Sequence, residues 1–161
     1  MRAGEVALRA SSLLLGTAVG AGVDQAVFVM PRWFESPPHS LALARDRRAA
    51  KFWIPLQASS AAALVSAFVL NRDDPARRKL LSIALGFYVA TWIATGAYFA
   101  PEIIRLTKAD SELPASEIER RGKRWLRLSW GRHAAMAGAL AATVAALGRG
   151  RPALSVGALT R

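Results

Sequence analysis

Apolar and polar residues alternate along this chain in long blocks, with no short fixed period. Four blocks approach the roughly 20 helical residues needed to cross a hydrocarbon core of about 30 Å. They run from Ala10 to Met30, Phe52 to Leu70, Leu80 to Ala100 and Leu126 to Leu147. The pattern predicts an all-α fold, a four-transmembrane-helix bundle with short charged loops, in a single membrane domain over residues 1–161. None of the blocks is apolar throughout. The second carries Pro55, Gln57, Ser59 and Ser60, and the fourth is dominated by alanine. Small and polar residues of this kind suit helices that pack on one another more than a lone anchor in lipid.

The connecting segments are charged. Pro31 to Lys51 begins with prolines and His39, and its stretch Leu41 to Lys51 predicts a short interfacial helix with snorkelling arginines. Asn71 to Lys79 is only a turn, with Pro75 placed to start the next helix. Pro101 to Trp125 mixes acids and bases as a solvated helix does. Arg2, Arg9 and Ala18-Val19-Gly20 have the layout of a signal peptide, yet the expectation is a retained first transmembrane helix.

Composition sharpens this picture. The 161 residues are 53% hydrophobic, yet 22 Lys and Arg face 11 Asp and Glu, a formal net charge of +11. A disordered basic tail would lack the apolar residues, and a nucleic-acid-binding domain would gather its cations on one face. Membrane lipid, with no nucleic acid, is the expected partner, and the cations belong to loops where they set topology. Raw counts of Lys and Arg slightly favour the side opposite the termini, whereas density per loop residue favours the terminal side. The expected location is a bacterial cytoplasmic membrane with both termini cytoplasmic. The absence of cysteine excludes disulfides, thiolate metal sites and cysteine nucleophiles. No phosphate-binding glycine loop, dinucleotide fingerprint or nucleophile elbow occurs.

Two rows of small residues predict how the helices meet. Gly16 and Gly20 form a GxxxG that Asp24 continues, and Ala134, Gly138 and Ala142 repeat the spacing in the last block. Such a row turned outward would instead favour a homo-oligomer or assembly with other membrane proteins. In the third block Tyr88, Trp92, Thr95, Phe99 and Glu102 share one helix face. They read either as an aromatic packing ridge or as a wall for a flat aromatic ligand.

Three residues are chemically conspicuous. A carboxylate within a span costs at least about 2.5–3.5 kcal/mol, so Asp24 is expected to face the bundle interior and find a partner; Gln25 points about 100° away from it. Arg132 and His133 lie inside the last block, near Trp125, Ser129 and Trp130. Arg132 offers fixed donors for an oxyanion or marks the membrane edge, and His133 offers a base near neutral pH or packs structurally. His39 is the other histidine. No H-x-x-H or E-x-x-H pair accompanies it, so no metal site is expected, although two histidines with Asp24, Glu35 or Glu102 keep a metal- or haem-dependent redox protein as a competing reading.

Ala26-Val27-Phe28-Val29-Met30-Pro31 closes the first helix, and Trp125 followed by Leu128-Ser129-Trp130-Gly131-Arg132 opens an alanine-rich last one. With four spans in about this length, the chain resembles the anthrone-oxygenase-like family of small membrane proteins. In that family a Trp and then Asn-x-x-Arg open the last helix. Trp125 and Arg132 match, and Ser129 stands at the asparagine. The resemblance implies oxidation of a hydrophobic polyketide anthrone to an anthraquinone by O₂ without a cofactor. On that reading His133 or Asp24 removes the acidic C–H proton and Arg132 holds the developing oxyanion. Tyr88, Trp92, Thr95, Phe99, Trp125 and Trp130 would surround the rings. The alternative is a non-catalytic bundle that binds lipid or joins a larger membrane complex.

Overall fold

The computed structural model describes residues 2–37, 39–45, 48–108 and 113–149, and among these every regular element is helical. Helix α1 (Ala3–Asp24) continues through a π-helical turn, Gln25–Val29, into 3-10 turns at Pro31–Phe34 and His39–Arg45. Helix α2 (Arg48–Leu70) turns directly into α3 (Pro75–Ala94). A second π-helical turn, Thr95–Phe99, leads into α4 (Ala100–Lys108), and α5 (Ala115–Gly148) packs along both α1 and α3.

Three helical stretches, Ala3–Phe34, Ala50–Leu70 and Pro75–Lys108, are long and apolar enough to cross a membrane. The exposed side chains agree. Leu13, Phe28, Ile54 and Ile93 lie on the outside, while Ser11, Ser60, Ser129 and Thr143 are buried. Large apolar side chains on the outside, with a few small polar ones inside, suit a surface bathed in lipid tails. The fourth predicted block lies within α5 and is less apolar, because alanines carry most of it and Arg132 and His133 interrupt it.

The boundaries also move. α5 begins at Ala115, so the charged run before Trp125 is a helical extension of the last block. The interfacial helix expected over Leu41 to Lys51 is replaced by the 3-10 turn His39–Arg45 and the start of α2, with residues 46 and 47 outside the described set. Leu41 is fully buried there, and Arg45 donates from Nε and Nη2 to the Thr107 carbonyl, so the segment is drawn onto α4. The expected start at Pro75 is found. Asp74 caps α3 by accepting from the Ala76 and Arg77 amides at 3.0 and 3.1 Å.

Both π-helical turns end two residues before a proline, with Met30 leading into Pro31 and Ala100 into Pro101. Proline supplies no amide to the helical ladder, and its ring crowds the carbonyl four residues back. A widened turn relieves both, with the Met30 amide reaching the Gln25 carbonyl and the Ala100 amide reaching that of Thr95. Trp125 Nε1 then donates to the Phe99 carbonyl at 3.0 Å.

Two cores result. One joins Leu8 and Leu15 of α1, Leu64 and Ala67 of α2, Leu81 and Ala84 of α3, and Ala139 and Ala146 of α5. The other joins Met30, Phe34, Leu41, Phe99, Leu106, Ile118 and Trp125. The small-residue expectation for α1 is corrected here. Gly4, Leu8, Ser11, Leu15, Ala18 and Gly22 form the inner face, whereas the Gly16 and Gly20 positions meet open space. In the last helix the row holds in part, since Gly138 lies under Phe87 and Ala142 is buried, while Ala134 is exposed.

Candidate functional site

Where the two cores part, a cavity of about 630 Å³ opens between α1, α2, α3 and α5. Ala18, Gly22, Gln25 and Met30 form its α1 wall. Trp53, Ile54 and Gln57 come from α2, and Thr91, Trp92, Thr95 and Phe99 from α3 and its π-helical turn. Trp125, Arg132, His133 and Met136 of α5 close it, with Trp33 near one end. Both π-helical turns therefore contribute to this wall, through Gln25 from the first and Thr95 and Phe99 from the second. A large apolar pocket with a few convergent polar groups is the form expected of a small-molecule site.

Arg132 is half-buried in this wall. Its guanidinium lies over the Phe99 ring, 4.6 Å from the centroid, and 6.0 Å from that of Trp125. Stacking on an aromatic face stabilises a cation while leaving its N–H groups to point elsewhere. Among the described residues Arg132 makes one long hydrogen bond, from Nη1 to Thr95 Oγ1 at 3.5 Å, so nearly all of its donor capacity is unspent. Trp125 is itself held on three sides, by Trp33 at 5.9 Å, Phe99 at 5.6 Å and Phe34 at 6.4 Å between ring centroids.

His133 follows Arg132 and also lines the cavity. It lies against the backbone of Gly22, where an added methyl would come within 3.0 Å of Nδ1 and 3.1 Å of Cε1. Nε2 is buried without a hydrogen-bond partner among the described residues. Trp130 packs edge-on against the imidazole at 5.9 Å. Packing thus holds this imidazole, and among the described residues no hydrogen bond fixes its tautomer.

Of the residues singled out from the sequence, Arg132, His133, Trp92, Thr95, Phe99 and Trp125 share this one cavity. Tyr88 does not line it. Its hydroxyl donates to the Gln57 carbonyl at 2.7 Å and lies 3.0 Å from Gln57 Oε1, so Tyr88 anchors a residue that does. Trp130 does not line the cavity either; it is exposed and packs against the His133 ring. Asp24 is the clear departure. It is exposed, and it makes no ion pair or hydrogen bond through its side chain among the described residues. Counting 100° per residue from buried Gly22, Asp24 falls about 200° round the helix, whereas Gln25 returns to the inner face. His39 is exposed as well, and no three His, Asp or Glu side chains gather among the described residues.

Sequence reasoning passed over Gln25, Gln57, Trp33, Trp53 and Met136. A signal for two of them was present, since Gln25 and Gln57 are amides inside apolar blocks, as conspicuous in hydropathy as Asp24. Comparison with protein-family models, with curated proteins and with solved structures finds no match for the chain.

Proposed function

We propose that this membrane protein binds a flat hydrophobic aromatic compound in the cavity and oxidises it with O₂, without a cofactor. The observation that carries the reading is Arg132, a guanidinium stacked on Phe99 with its donors nearly unspent, facing an aromatic wall. A ligand suited to that wall is apolar over most of its area and carries one oxygen able to become an anion. Anthrones, the substrates implied by the family resemblance, have this form.

The chemistry follows from acidity. The benzylic C–H of an anthrone gives a delocalised anion whose charge rests on the carbonyl oxygen. His133 takes the proton, and Arg132 receives the oxyanion in a site where few waters compete. The anion passes one electron to O₂, the carbon radical and superoxide combine into a peroxide anion at the former C–H carbon, and this takes back the proton held by His133 to give the hydroperoxide. Loss of water leaves the ketone, so one O₂ supplies one oxygen to the quinone and one to water. His133 replaces Asp24 as the base in this scheme, since Asp24 lies outside the cavity. The four-span arrangement belongs to the same proposal. Its support is the packing of Met136, Ala139 and Ala146 of α5 against Leu15 and Leu81 of the apolar helices. Both termini then lie on one side, which the loop charge density makes cytoplasmic.

Ile54 and Trp92 line the cavity yet are 68% and 49% exposed, which favours as a second reading a bundle that only binds a lipid chain. One experiment separates the two. Protein reconstituted in nanodiscs is given a hydroxyanthrone, and O₂ consumption and quinone absorbance are followed against empty nanodiscs. Catalysis predicts stoichiometric uptake and quinone, reduced about 100-fold in Arg132→Gln. Rates equal to empty nanodiscs, or unchanged in Arg132→Gln and His133→Ala, would overturn the oxygenase reading.

A further inference from the structure

A second pocket, of about 440 Å³, lies outside the cavity between α4 and the charged start of α5. Its walls are Tyr98, Glu102, Glu117, Arg120, Arg121, Arg124 and Arg127. Glu117, Arg120, Arg124 and Arg127 recur at three- and four-residue steps on one face of α5, and Tyr98 and Glu102 are four apart on the opposing helix. The four guanidinium groups meet two carboxylates, and the pairing is specific. Arg121 grips Glu102 with two bonds, at 2.7 and 2.6 Å, and Arg120 grips Glu117 with two, at 2.9 and 2.8 Å. The hydrogen bonds from Arg120 hold the Glu117 carboxyl below its usual range, so that pair stays charged at neutral pH. Both acids are consumed. Arg124 and Arg127 are exposed and make no ion pair or side-chain hydrogen bond among the described residues, although the Arg124 charge lies near enough to Glu102 to attract it, and Tyr98 offers a hydroxyl beside them.

We propose that this pocket binds a phosphate ester through Arg124 and Arg127. Guanidinium forks match phosphate oxygens, and a site with four cations and two anions keeps two positive charges for an anion. Its position along the helices favours the headgroup of an anionic lipid over a soluble phosphate compound. The pocket sits where the apolar run of α3 gives way to charged α4, at the level of Tyr98, where tyrosine marks the headgroup layer. The site is separate from the aromatic cavity and needs no turnover there, so its fate is independent of the oxygenase reading.

The test uses the full chain in nanodiscs of phosphatidylcholine with rising phosphatidylglycerol, with retained lipid counted by native mass spectrometry and thermal unfolding followed in parallel. Arg124→Gln/Arg127→Gln should bind phosphatidylglycerol roughly 30-fold more weakly, the loss of two cationic contacts. Arg72→Gln/Arg78→Gln, which removes the same charge at the other end, should bind like wild type. A parallel titration of inorganic phosphate against chloride, at matched ionic strength in pure phosphatidylcholine, separates the sources. Arginine-dependent stabilisation by phosphatidylglycerol alone assigns the headgroup, and the same effect from inorganic phosphate assigns a soluble phosphate ligand. Equal behaviour of wild type and the Arg124/Arg127 variant in both arms overturns the site.

Discussion

The two cores of this bundle are built from opposite materials. At the end holding Leu8, Leu64, Leu81 and Ala146, uninterrupted α-helices meet through leucines and alanines. Asn71 ties that end together. Its amide nitrogen donates to the carbonyls of Gly4 and Ala67, and its oxygen accepts from Arg77 Nη1. At the other end Phe34, Phe99 and Trp125 meet through rings, and both π-helical turns lie beside them. Small side chains on regular helices let backbones close up. Rings and widened turns hold backbones apart and leave room, and the cavity opens on that side of the boundary. The open space in this bundle lies where close packing stops.

This contrast can be attacked residue by residue. The largest effect is expected at Trp125, which keys three aromatic neighbours and bonds the Phe99 carbonyl. Trp125→Ala should cost about 3 kcal/mol or more, read from unfolding in detergent with added denaturant; a cost below that of Ala139→Gly would reverse the ranking of the two ends. Next comes Gly122, where an added methyl would overlap the Phe34 ring. Gly122→Ala should destabilise by about 2 kcal/mol through overpacking, despite alanine's better helix propensity. Gly22→Ala should be milder, about 1 kcal/mol, and its mark is local. The methyl presses on His133, so the imidazole NMR signals should shift while those at the leucine end stay in place. The smallest effects belong to the outward row. Gly16→Ala and Gly20→Ala should each stabilise the monomer, by about 0.5 kcal/mol. Asp24→Asn should leave oxidation at the wild-type rate, and a loss like that of Arg132→Gln would return Asp24 to the chemistry.

Much of the fold was legible because hydropathy reports length directly. Three apolar stretches follow from it, and the start of α3 at Pro75 follows from proline's place in a first helical turn. The stripe of Thr95 and Phe99 was legible too, since a 100° step holds as far as Ala94 and its error grows only afterwards. The inner face of α1 was not. GxxxG announces that two backbones can approach, without saying which face has a neighbour, and here Gly22 has one while Gly16 and Gly20 do not. Asp24 was misplaced by the assumption that a charge in a span must turn inward. The cost of exposure is real, but Gly22 and Ala18 had already set which side of the helix faced the bundle. Gln57 and Trp53 needed the third dimension, because their relation to Arg132 is set by α2 packing on α1 and not by any spacing along the chain.

A π-helical turn is an α-helix with one residue too many, and that surplus has a consequence for how the protein can change. Deleting one residue within Thr95–Phe99 would let the helix close to its ordinary pitch. Everything beyond would turn by about 100° and retreat by about 1.5 Å. Phe99 would leave the underside of Arg132, and Glu102 would swing away from Arg121, so both pockets would be lost without altering any residue that lines them. Alignment of such a chain therefore has to respect length as strictly as identity between Ala94 and Pro101. A one-residue gap there marks a protein with a different interior, however well the remaining letters agree.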